Sequence, residues 1–94
     1  MSMILFIKKM MFKRYFNMAV KYANEGNYKY AIKEYERAIS LYSGYFDYYD
    51  AYWGLGKAYR EIGNLDKARE VLSKAIEINP NYAESPVQNL TPQK

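Results

Sequence analysis

The chain contains no cysteine and no histidine. Without cysteine there is neither a disulfide framework nor a thiolate metal site. The missing histidine removes the commonest general base and the commonest metal ligand, and the missing thiol removes the best side-chain nucleophile. Carboxylates are the remaining catalytic candidates. Glu34 and Glu36 diverge on a helix, while Lys57 with Glu61 and Asp66 with Glu70 have ordinary surface spacing. The stretch GLGKAY (54–59) lacks the spacing of a phosphate-binding loop. No apolar run approaches the roughly 20 residues of a membrane-spanning helix. These absences point away from an enzyme, a cofactor, a metal site or a small-molecule substrate. The lack of a spanning run points toward a soluble protein; the lack of cysteine leaves the redox compartment open, and the cytoplasm is the expected location.

A chain of 94 residues has room for one compact domain. At this size the buried fraction of the surface is small, so packing or self-association has to supply the reinforcement that disulfides cannot. The net charge is +4 but unevenly spread. Lys8, Lys9, Lys13, Arg14, Lys21 and Lys29 face only Glu25 among the first thirty residues. The run MILFI has no basic residue before it and no small-residue cleavage site after it, so it reads as part of the fold and not as a secretory signal.

The chain is also internally duplicated. NEGNYKYAIKEYERAISLY (24–42) superimposes without a gap on EIGNLDKAREVLSKAIEIN (61–79), and in each copy a Gly-Asn pair separates two apolar-periodic segments. A helix that ends at a left-handed glycine with another beginning at once is a helical hairpin, so the spacing predicts two of them. On the second helices Ala31, Ala38, Ala68 and Ala75 recur on one face, where their lack of bulk lets backbones approach. On the first helices Tyr15, Met18 and Tyr22, and Tyr52, Leu55 and Tyr59, form an apolar stripe. Ala19 and Gly56 stand at the tightest crossings.

This pattern of large and small residues resembles the tetratricopeptide repeat, whose period is about 34 residues. In the second copy (49–82) Tyr52, Leu55, Gly56, Tyr59, Ala68, Leu72, Ala75 and Pro80 stand at the family's characteristic positions. The first copy (12–45) supplies Tyr15, Met18, Ala19, Tyr22, Ala31, Tyr35 and Ala38, with Ser43 in place of the terminal proline. The resemblance implies an all-α fold of tandem helix-turn-helix repeats, a segment of α–α superhelix. Residues 1–11 form an apolar and basic extension that continues the first helix, residues 46–48 are an insertion at the joint, and residues 83–94 are a polar tail containing proline.

The resemblance implies a function as well. The family usually lines a concave groove with its first helices and takes a peptide or helix of a partner protein there. The corresponding positions are Lys13, Phe16, Asn17, Val20 and Asn24, then Asp50, Trp53, Gly54, Lys57 and Arg60. The branch that clamps chaperone C-termini uses lysine and asparagine where this chain has Phe16, Val20 and Gly54, so the implied function stops at binding a polypeptide.

The segment YSGYFDYYDAYW (42–53) carries seven aromatic side chains and straddles the joint, and packing accounts for most of them. Trp53 is the exception: it serves either as a groove anchor or as a cover for the joint. With two repeats and no evident cap, the chain is also expected to form a homodimer. Leu5, Phe12, Phe16 and Val20 are the stripe assigned to that contact. A further stripe, Ile4, Ile7, Met11, Tyr15, Met18 and Tyr22, is expected to pack within the hairpin. The alternative for MILFIKKMMFKRYF is attachment to a membrane surface, with nucleic acid a lesser candidate for want of a recognised motif or an extended basic face.

Overall fold

The computed structural model describes residues 3–41 and 48–80. They form α1 (Met3–Asn24), α2 (Tyr28–Ser40), α3 (Tyr48–Glu61) and α4 (Leu65–Ile78), with no strand among the described residues. The architecture is therefore two helical hairpins in tandem, with the first helix extended at its N-terminal end. Of the insertion expected at 46–48, residues 46 and 47 lie outside the described residues and Tyr48 begins α3; the Ser43 position and the tail at 83–94 also lie outside them.

The two hairpin turns are built alike. Gly26 and Gly63 have φ of 80° and 87°, a conformation that only a residue without Cβ adopts cheaply. The following asparagine amide donates back to a tyrosine carbonyl, Asn27 to Tyr22 at 2.8 Å and Asn64 to Tyr59 at 3.0 Å. The glycine amides close the inner ring, to Ala23 and Arg60, at 3.0 Å each. This double closure satisfies carbonyls that a helix end leaves open. Asn64 then caps α4, accepting from the Lys67 amide at 3.2 Å, whereas Asn27 makes no side-chain bond to α2.

Small residues on one helix receive large ones from the next. Ala19, Ala31, Ala38, Ala68 and Ala75 are all 0% exposed. A Cβ on Gly56 would run into the side chain of Leu72, which is itself fully buried. α1 packs on α2, α3 on α4, and α2 joins the hairpins through α3. Across that junction the Tyr59 hydroxyl donates to Glu36 Oε2 at 2.8 Å. α1 and α3 touch only lightly, so a channel runs between them.

The lie of α1 departs from expectation. Its rings fix an antiparallel register with α2: Tyr22 meets Tyr30 edge-on at 5.4 Å, and the Arg37 guanidinium lies 5.8 Å from the Tyr15 ring. Continued, this register sets Leu41 beside Met11. α1 has 22 residues and α2 has 13, so the first turns of α1 project past the end of α2.

The stripe expected to pack within the hairpin is consequently open over much of its length. Ile4 is 66% exposed, Ile7 46%, and Met11 and Met18 37% each, while Tyr15 and Tyr22 are half-buried. The stripe assigned to a second chain is instead turned inward. Phe12 is 4% exposed and stacks on Phe16 at 6.1 Å; Leu5, Phe16 and Val20 are half-buried. The cause is rotational. With Ala19 fully buried, α1 turns Phe12 and Phe16 toward the core cluster that includes Tyr35, Ala51 and Leu55.

Candidate binding groove

The channel between α1 and α3 opens into a cavity of about 360 Å³. α1 contributes Phe16, Val20, Ala23 and Asn24 as one wall, and α3 contributes Asp50, Trp53, Gly54, Lys57, Ala58 and Glu61 as the other. Tyr28 and Tyr35 of α2 form the floor. An adjoining hollow of about 220 Å³ shares Phe16 and Asp50 and adds Phe12, Lys13 and Asn17.

The repeat spacing explains why these side chains converge. Phe16 and Trp53 each follow a core tyrosine, Tyr15 or Tyr52, and one step along a helix turns a side chain about 100° around its axis. Equivalent positions on two parallel first helices therefore face the same channel. Phe16 also meets the Tyr35 ring edge-on at 5.8 Å, which joins the wall to the floor. On the other wall the Lys57 ammonium stands 5.9 Å from the centre of the Trp53 ring, a cation–π distance.

Tyr35 reaches across the floor because Gly54 has no side chain: a Cβ there would collide with the Tyr35 ring and hydroxyl. Burial, and then the Asp50 carboxylate, push the Tyr35 hydroxyl above its ordinary pKa. Both signs of charge line the groove, Asp50 and Glu61 against Lys57, with Lys13 in the adjoining hollow. The surface combines aromatic contact area with polar groups at its edges, a composition suited to a chain that carries both apolar side chains and peptide groups.

Phe16, Val20, Asn24, Asp50, Trp53, Gly54 and Lys57, all expected at a groove, line the larger cavity, and Lys13 and Asn17 line the smaller. Arg60 lines neither; its guanidinium lies 3.9 Å from the carboxylate of Glu61. Sequence reasoning missed Ala23, Tyr28, Ala58 and Glu61, and took Tyr35 for a core residue alone. The available signal for Tyr35 was Gly54 itself, a glycine inside a helix without a turn to make.

The sequence profile described as tetratricopeptide repeat matches residues 22–91, more than half of the chain. The match begins in the last turn of α1 and runs through α2, α3 and α4, leaving Met3–Lys21 of α1 outside it. No curated protein and no solved structure matches the chain. Two hairpins with the family's alternation of small and large residues, and a profile match that spans both turns, make this chain a member of the tetratricopeptide repeat family.

Proposed function

We propose that the chain is a non-catalytic module that takes a segment of another polypeptide, helical or extended, in the groove between α1 and α3. Repeats of this family generally act as protein interaction modules. The observation that carries the reading is one cavity walled by equivalent residues of the two repeats, with Phe16 from one and Trp53 from the other. At about 360 Å³ it has room for one or two large side chains of a longer ligand. Rigid aromatic walls offer contact area at small entropic cost, and truncating such an anchor typically costs about 2 kcal/mol or more.

A second copy of the chain is one source of such a polypeptide, and the expected homodimer is kept here as part of this reading. Its contact would run through the groove and not through Phe12, which is already 4% exposed in the single chain.

Trp53 is the sole tryptophan, so its fluorescence reports on the groove directly. Peptides selected from a random library against the folded protein should shift that emission, and their affinity should fall roughly 30-fold in Phe16→Ala, compared at a temperature where circular dichroism shows both proteins folded, since Phe16 also packs against the core. Light scattering on the same samples distinguishes a groove that is free from one filled by a second copy, which Trp53→Ala would release. Selected peptides that bind Phe16→Ala and Trp53→Ala as well as the parent would remove the groove from the account.

A further inference from the structure

The groove leaves the projecting end of α1 unexplained. Met3 is 75% exposed, Ile4 66%, Phe6 56%, Ile7 46% and Met10 56%. None of the five lines either cavity. At 3.6 residues per turn they fall, with Met11, on less than half of the helix circumference. No charged or hydrogen-bonding side chain lies within that arc over the first three turns. Soluble proteins seldom expose so many large apolar side chains together without a use for them.

The charge around this face is of one sign. From Met1 to Asn24 there are five basic residues, Lys8, Lys9, Lys13, Arg14 and Lys21, and no acidic one. The whole chain has 14 basic and 10 acidic residues, so the remaining 70 carry 9 and 10, close to neutral. All five basic side chains are exposed. Lys8 borders the apolar arc on one side and Lys13 on the other, and Arg14 continues the arc one turn further along. Lysine and arginine so placed can lay their stems along an apolar layer and keep their charges at its polar edge.

We propose that the outer face of the first three turns of α1 lies on an anionic lipid surface, with the apolar arc among the acyl chains and Lys8, Lys13 and Arg14 at the headgroup phosphates. Charge chooses this occupant over a second copy, because two such helices laid together would bring like charges into apposition. Polarity chooses it over a folded protein partner: protein interfaces carry about one hydrogen bond per 100–200 Å², and the arc offers no side chain to make one. The helix lies on the surface and does not cross it, since no helix among the described residues is long and apolar enough to span a bilayer. Of the residues assigned to the lipid surface only Lys13 also borders the groove's smaller hollow, so a polypeptide bound in the groove would be held beside the membrane.

Flotation of the full chain with vesicles of phosphatidylcholine and phosphatidylserine in equal parts tests this directly. Each basic side chain near an anionic surface contributes about fivefold in binding, so Lys8→Gln with Arg14→Gln should weaken flotation roughly 30-fold. Phe6→Asp with Met10→Asp should abolish it while leaving helical content and the melting temperature in place, because both residues stand clear of the core. Vesicles of phosphatidylcholine alone should capture little. Failure of the parent chain to float with the anionic vesicles overturns the proposal, as does flotation indifferent to both pairs of substitutions. A dimer in solution that Phe6→Asp with Met10→Asp dissociates, without flotation, would assign the face to a second copy instead.

Discussion

The phenol of Tyr35 ends against the bare Cα of Gly54, so that one side chain of α2 both seals the junction with α3 and floors the groove. The contact joins stability to binding at a single point. A methyl group at 54 would have to displace a ring that is 5% exposed and wedged between two helices. Alanine gains about 1 kcal/mol over glycine in a helix interior, while overpacking costs roughly 1–3 kcal/mol. Because the added Cβ would run into the ring itself, the cost lies at the upper end, and Gly54→Ala should lose up to about 2 kcal/mol on urea unfolding. Where the chain still folds, the displaced Tyr35 should fill the cavity and weaken peptide capture. A variant as stable as the parent would show that the ring moves aside freely.

Glu34 presents the opposite case, a residue whose replacement should help. Its side chain is buried, with Oε1 lacking a hydrogen-bond partner among the described residues and Oε2 3.7 Å from Arg37. The equivalent place in the second repeat holds Val71, which is 7% exposed and belongs to the core. A buried carboxylate oxygen without a partner costs about 1–3 kcal/mol, and apolar replacements of buried charges are often stabilising. Glu34→Val should raise the melting temperature, read by circular dichroism. A fall would mean that the carboxylate has a stabilising role that valine cannot fill.

Tyr59 makes stability depend on pH at the alkaline end. Burial, then the hydrogen bond to Glu36, then the charges of Glu36 and Glu70 push its hydroxyl from the ordinary 10.0 up to about 12. A pKa raised on folding means that the protonated hydroxyl favours the folded chain. The contribution is full below about pH 10 and is lost as pH rises toward about 12. Tyr35, also raised, acts in the same direction. Urea midpoints measured across this window should fall with pH, and Tyr59→Phe should fall less steeply. An equal slope in the two proteins would remove Tyr59 from the alkaline transition.

These residues also show what sequence could and could not convey. The hairpins, their Gly-Asn turns and the alanine faces are set by spacing within a few turns of chain, where helical geometry leaves little choice. The groove positions followed from the same periodicity, because equivalent residues on parallel helices face one way. The rotation of α1 depends on something less local, the end of α2 and the packing of Ala19. Two apolar stripes on one helix look equally suited to a core, and only the neighbouring helices decide between them. The floor of the groove was obscured for a similar reason: Tyr35 has a core position, and its reach into the cavity depends on Gly54 in another helix.

The same rotation gives two phenylalanines on one helix opposite roles. Phe12 is 4% exposed, stacked on Phe16 and part of the core cluster that includes Tyr35, Ala38, Ala51 and Leu55. Phe6, less than two turns before it, is 56% exposed beyond the end of α2. Phe12→Ala should leave a cavity in the first hairpin and cost about 3–5 kcal/mol, a large part of the stability of a domain this size. Phe6→Ala should stay within about 0.5 kcal/mol of the parent, as exposed substitutions do. The comparison also separates a core residue from a chain-to-chain contact. Loss of stability in Phe12→Ala should be the same at all protein concentrations if the residue packs within one chain. A loss that grows on dilution, measured by urea unfolding across a hundredfold range, would place Phe12 between two chains instead.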